Sequence, residues 1–232
     1  MAAEIESYVT PAYLYRYRPL MPELKTGGKV RRNRLLEELD AIDRHYLFCS
    51  TYKAMNDPME GMYKSTRRAR SDPEWGDMVQ DIKDEKLSLG IASFSETWDH
   101  ELMWAHYANG FRGICVGYNV SKLVHTLPDG CALTRVSYGD RPHTLNVMRA
   151  TNREMRARAV LSQKSVKWVY EREWRLFVAT AGKTCHGPEA VAHVYLGCRI
   201  PRSNRETVTA RLQTAGIEVR RTRLHGYSVI CK

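Results

Sequence analysis

The sequence predicts an α+β protein: a single domain whose mixed central β-sheet is flanked by helices. Three observations lead there. Short runs rich in alternating, β-branched and aromatic residues, such as AYLYRYRPL, RGICVGYNV and YEREWRLFVA, read as strands. Amphipathic stretches such as RNRLLEELDAID lie between them. The two kinds follow one another without a regular βαβ rhythm. Neither a GxGxxG nor a GxxxxGK[ST] loop occurs, which argues against Rossmann and P-loop nucleotide sites.

A chain of 232 residues is most economically one domain, 1–232, with residues 1–11 expected to be a flexible leading segment. AYLYRYRPL (12–20) is a strand stopped by Pro19, and PELKTGGKVRRN is a basic loop. A helix follows with Leu35, Leu36, Leu39 and Ile42 at helical spacing, then the strand HYLFCS. NDPMEG (56–61) is a strong turn signal. Residues 74–87 read as helix and LGIASFSE as strand. Asp99 is placed to cap a helix ending at Asn109-Gly110. RGICVGYNV and TRVSYG are strands, and 144–164 reads as one long helix with Arg149, Arg153 and Arg156 on a shared face. YEREWRLFVA and AHVYLGC are strands, SNRETVTARLQTAG is a helix opened by a Ser203–Glu206 capping box, and IEVRRTRL and GYSVI close the chain.

Composition narrows the function classes. The net charge of +10 attracts polyanions, nucleic acid first and phosphate-bearing cofactors next. No run approaches a membrane span, and the opening residues do not form a secretory signal, so a cytoplasmic protein is expected. The six cysteines have no metal-ligand spacing and read as separate thiols, several of them buried in strands; no metal is expected.

Four segments carry candidate chemistry. Strand alternation aligns Glu171, Glu173 and Arg175 on one face of YEREWRLF, with Trp174 and Leu176 on the other. Such a row is either a solvated, self-neutralised sheet face or a carboxylate pair that stabilises positive charge at a glycosidic carbon. Ser93 and Ser95 share a face of their strand and offer two hydroxyls for a ribose or a carboxylate, although paired serines also occur with no catalytic role. Arg16 and Arg18 share a face of LYRYR and require an acid or an anionic ligand if buried. Met103, Trp104 and Tyr107 give the next helix an aromatic face, either core or a platform for a flat ring, with His106 beside it.

In order and over most of the chain, LYRYR, LFCSTYKAMNDPMEG, SFSETWDHELMWAHYANGFRGICVGY and VYEREWRL resemble domain-of-unknown-function family 2971, a bacterial family. Its members show FNDPFE, CFSE…MWxHYA…G and YExEWR; here Met55 and Met59 stand where phenylalanine is usual and Ser93 where cysteine is common. More weakly, the order Arg, Ser-x-Ser, Glu-x-Glu is similar to the arginine–serine–glutamate class of ADP-ribosyltransferases. That likeness implies a split sheet binding NAD as substrate, with Arg16 or Arg18 on the pyrophosphate and Ser93 and Ser95 orienting the nicotinamide ribose. Trp104 or Tyr107 would stack on the ring, Glu173 would stabilise the transition state, and Glu171 would serve the acceptor. Arg149, Arg153 and Arg156 would then guide a nucleic-acid acceptor, with protein as the other candidate. The rival expectation is a basic nucleic-acid-binding module, or a nuclease, without NAD chemistry.

Overall fold

A computed structural model describes residues 4–6, 10–21, 23–24, 30–145 and 153–231. Nine strands form the main sheet: β1 (Glu4–Glu6), β2 (Tyr13–Arg18), β3 (Gly90–Ser95), β4 (Ile114–Asn119), β5 (Ala132–Arg135), β6 (Glu173–Val178), β7 (Val191–Leu196), β8 (Glu218–His225) and β9 (Ser228–Cys231). Their spatial order is β1-β5-β6-β3-β2-β4-β7-β8-β9. β1 runs parallel to β5 and β7 parallel to β8, while the other neighbours are antiparallel. The sheet is therefore mixed, as the irregular rhythm of the sequence predicts.

Among the described residues, and apart from the single turn Arg67–Arg70, six helices flank it: α1 (Arg34–Asp43), α2 (Trp75–Ser88), α3 (Glu101–Tyr107), α4 (Val120–Thr126), α5 (Arg153–Leu161) and α6 (Arg202–Thr214). One sheet face carries Leu14, Phe94, Val116, Trp174 and Leu176 and packs on the apolar sides of α1, α4 and α6 through Leu39, Ile42, Leu123, Val208 and Leu212. On the other face Tyr17 and Cys115 pack with Met103 and Trp104 of α3, while Ile91 and Phe177 pack with Ala157 and Leu161 of α5. Strand alternation thus buries both faces, which is why β6 is buried at all six positions.

One junction in this sheet is thin. β2 and β3 share a single registered pair, Tyr15 with Ser95, whereas β2 pairs with β4 over six residues. Beyond that pair the strands diverge, and the segment after Tyr46–Cys49 enters the wedge. Ser50 and Ile91 exchange both backbone hydrogen bonds there, at 2.8 and 2.7 Å. Because backbone groups alternate sides along a strand, Ser93 directs its N–H and C=O into the same gap.

Several expectations are corrected. The described residues of the expected 144–164 helix fall in a strand His143–Leu145 pairing with Tyr63–Ser65, in α5, and in a strand Gln163–Ser165 pairing with Ser137–Gly139. Within the expected leading segment, Glu4–Glu6 forms a ladder with the open edge of β5. Asp99 is not the cap of α3; its carboxylate accepts from Thr97 Oγ1, and His100 Nδ1 accepts from the Leu102 N–H. The Ser203 capping box does not form, because α6 already begins at Arg202 behind Pro201 and Glu206 pairs with Arg202. Among the described residues no helix is long and apolar enough to cross a membrane.

Candidate functional site

The wedge between β2 and β3 opens into a cavity of about 200 Å³ lined by Arg16, Arg18, Ser93, Ser95, Tyr107, Lys164, Glu171 and Glu173, among others. A neighbouring hollow of about 760 Å³ shares Arg16, Tyr17, Arg18, Ser50 and Tyr107 with it and extends under α1. All four sequence segments therefore reach one place, and the route differs for each.

Glu173 and Arg175 lie two apart on β6, opposite Ser95 and Ser93 on β3. Glu171 does not share that strand row. It ends a 3₁₀ turn, Val166–Glu171, and Arg172 then takes a left-handed conformation (φ 44°) that swings the chain into β6. This overturns the expected three-residue alignment. Glu171 and Glu173 nevertheless meet, because Lys164 Nζ bridges them at 2.6 and 3.2 Å.

The carboxylates belong to a buried charge cluster. Arg175 is fully buried and forks twice, with Nε and Nη2 to Glu173 at 2.8 and 2.9 Å and Nη1 and Nη2 to Glu60 at 2.8 Å each. It also donates to the Leu161 carbonyl. The self-neutralising pair expected from YEREWR exists, but inside the protein rather than on a solvated face. Glu60 comes from the NDPMEG turn, which Lys86 anchors by donating to the Gly61 carbonyl at 2.7 Å. Gly61 has φ 67° and leaves no room for a side chain against that ammonium, so this glycine is required by the turn.

The two acids are electrostatically unlike. Burial opposes charge on Glu173, but Arg175 and Lys164 outweigh it and hold the carboxyl near 2, with a hydrogen bond from Ser93 adding to the effect. Burial raises Glu171 above the ordinary carboxylate range, and the adjacent Glu173 charge adds to this against the pull of Lys164. Tyr107 donates its hydroxyl to Glu171. One acid is thus held as an anion while burial favours the neutral form of the other, a contrast of the kind that acid–base sites use.

The remaining expectations divide. Ser95 is fixed by structure: its hydroxyl donates to the Glu171 carbonyl at 2.7 Å and accepts from the Thr97 N–H. Arg18 is paired with Glu38, Nε to Oε1 at 2.7 Å. Arg16 donates to the Phe48 carbonyl at 2.7 Å, and among the described residues no carboxylate pairs with it. Burial, and then neighbouring Arg18, lower its pKa below the usual guanidinium value. Trp104 cannot stack on a ligand; it is wholly buried, donates to the Trp98 carbonyl at 2.7 Å and packs on Tyr17 and Phe111. Tyr107 lines the cavity, and His106 is exposed on the rim of the larger hollow. Arg156 is half-buried in a separate hollow with Asp72, Asp77 and Asp81, so it does not head a basic surface. Arg149 lies outside the described residues, and the Arg153 side chain is likewise undescribed.

Sequence reasoning passed over Glu60 and Lys164. Glu60 closes the NDPMEG segment and so had a signal within that motif; Lys164 had none, since its partners lie on other elements.

Residues 103–176 match the family model described as a protein of unknown function, DUF2971. No curated protein matches the chain, and no solved structure does.

Proposed function

We propose that this chain, similar over residues 103–176 to the DUF2971 family, is an ADP-ribosyltransferase-like enzyme that binds NAD in the wedge and acts in the cytoplasm. One observation carries the reading: an arginine and a pair of acids line the same cavity. Arg16, on the Leu14 and Phe94 side of the sheet, lines the gap with no carboxylate paired to it among the described residues, while Glu171 and Glu173, bridged by Lys164, line it from the other side. NAD carries a counterpart to each, an anionic pyrophosphate joined through ribose to a cationic nicotinamide ring. A half-buried guanidinium is stabilised by such an anion.

In this reading Arg16 holds the pyrophosphate and Ser93, with its backbone N–H and C=O facing the gap, orients the nicotinamide ribose. Glu173, kept ionised, stabilises positive charge as the glycosidic bond breaks. Glu171 receives the acceptor's proton. Arg18, committed to Glu38, supports the strand and its positive potential rather than gripping the ligand. Nicotinamide leaves with the bonding electron pair and the acceptor closes on the ribose carbon.

The rival is a basic nucleic-acid-binding module in which the acids are architecture. The closed Glu60–Arg175–Glu173–Lys164 network favours it, because such clusters also serve structure alone. Incubation with radiolabelled NAD and candidate acceptors separates the two. The enzyme reading expects release of nicotinamide, lost in Glu173→Gln; turnover undiminished in that variant, or none with any acceptor, overturns it.

A further inference from the structure

Beside the acids of the cavity, the turn that ends at Glu171 carries an aromatic lip, the half-buried Trp168 and Tyr170, that the chemistry above does not use. A 3₁₀ turn has three residues per turn, so Val166–Glu171 sets its side chains in columns: Val166 with Val169, Lys167 with Tyr170, and Trp168 with Glu171. The Tyr170 ring faces α3, 5.6 Å from His100 and 6.5 Å from His106, with Trp168 at 6.1 Å. The interplanar angles of 34 to 39° leave these rings tilted rather than stacked face to face. The Lys164 ammonium sits 4.9 Å from the Trp168 ring centre, which ties the lip to the acids.

The surroundings are apolar and basic. Val166 and Val169 are 42% and 51% exposed, and Lys167, Arg172 and His106 are exposed as well. Among the described residues neither Lys167 nor Arg172 enters an ion pair; the acid at the rim is Glu101, 3.8 Å from His100. Rings beside unpaired cations are what single-stranded nucleic acids bind: bases stack on the rings and phosphates meet the cations. A protein acceptor has less use for that many rings beside basic side chains on a chain of net charge +10.

We propose that the lip is the acceptor platform, and that the acceptor is an unpaired base or terminal nucleotide of single-stranded nucleic acid. The transfer step rests on the NAD reading; the binding does not. Stacked on Tyr170 and Trp168, the strand presents an N–H or O–H group to Glu171. The nicotinamide–ribose bond breaks as a bond forms from that nitrogen or oxygen to the ribose carbon, and the displaced proton passes to Glu171 and then to water.

The test is fluorescence anisotropy with labelled DNA and RNA strands of about 20 nucleotides, single and duplex, without NAD. Single strands are expected to bind, more weakly as salt rises from roughly 50 to 200 mM. A Trp168→Ala/Tyr170→Ala variant with an unchanged unfolding midpoint should lose about tenfold or more in affinity, while Trp168→Phe retains most of it. Lys167→Ala should weaken binding and flatten the salt dependence. Duplex preference, affinity weaker than about 100 µM, or no effect of the ring variants overturns the platform. Adding labelled NAD separates the two readings. Strand binding without nicotinamide release sinks the enzyme and leaves the platform. Nicotinamide release with label carried to protein and none to strands sinks the platform and leaves the enzyme.

Discussion

Replacing Lys164 with methionine should turn the buried charge cluster into a pH-dependent weak point. Its ammonium lies 2.6 Å from Glu171, 3.2 Å from Glu173 and 3.5 Å from Glu60, and the side chain is only 5% exposed. Without it, Arg175 still holds Glu60 and Glu173, and Glu171 is left with the Tyr107 hydroxyl. Methionine keeps much of the packing of the stem, so what is lost is mainly charge. Removing one partner from a buried ion pair costs roughly 3–5 kcal/mol. The dependence on pH follows from which state binds more protons. Loss of the ammonium raises Glu171 further above its ordinary value of 4.5, where burial already places it. Between the unfolded and folded values the folded variant holds the extra proton, so its stability falls as pH rises. The penalty relative to wild type is therefore larger at about pH 8 than at about pH 5. Glu173 works the other way in acid. Held from 4.5 down to about 2, it contributes stability above 4.5 that is lost as pH falls toward 2, on the order of 3 kcal/mol. Urea unfolding of both proteins at the two pH values measures the difference. A loss below about 1 kcal/mol, the scale of an exposed pair, and equal at both pH values would refute the account of the cluster.

Three further outcomes are expected. Arg16→Met should leave unfolding stability within about 1 kcal/mol of wild type or raise it, because the change removes a half-buried charge that makes no ion pair among the described residues and feels Glu38 only beside that acid's direct partner Arg18; the same variant should lose NAD affinity by calorimetry, and a large loss of stability would show that Arg16 is structural. Gly117→Ala would place a Cβ 2.5 Å from His193 Nε2 and should cost ~1–3 kcal/mol; His193→Ala in the same chain should recover part of that, and an additive double variant would dismiss the contact. Gly113→Ala meets the Arg18 carbonyl at 2.1 Å and Ala108 at 3.0 Å, all backbone; thermal melting should show a loss at or beyond the ~3 kcal/mol upper end of overpacking, and a near-native melt would contradict the packing of β2 against the turn after α3.

Much of the fold was legible in the sequence because strand and helix periodicity are local properties. Alternation in EWRLFV and GIASFS placed Trp174 and Phe94 toward one side and Glu173, Ser93 and Ser95 toward the other, and the structure puts them there. Boundaries failed where a neighbour outcompeted a local preference. Arg-rich 144–164 has helical composition, yet its ends are drawn into ladders with Tyr63–Ser65 and Ser137–Gly139. Trp104 looked like a possible ring platform because the period of a helix does not say which of two apolar neighbours meets the core.

The sequence by itself determined much of the inventory: most strands of the main sheet, which of their faces are polar, and that Arg16, Ser93, Ser95 and Glu173 stand at strand positions. Only the tertiary structure decided who pairs with whom. Arg175 and Glu60 are 115 positions apart, and Tyr107 and Glu171 are 64 apart. Charge and hydrogen bonding act through space over a few ångströms, whereas periodicity acts along the chain. The wedge that collects these side chains arises from two strands touching at a single pair, and spacing along the chain carries no record of that.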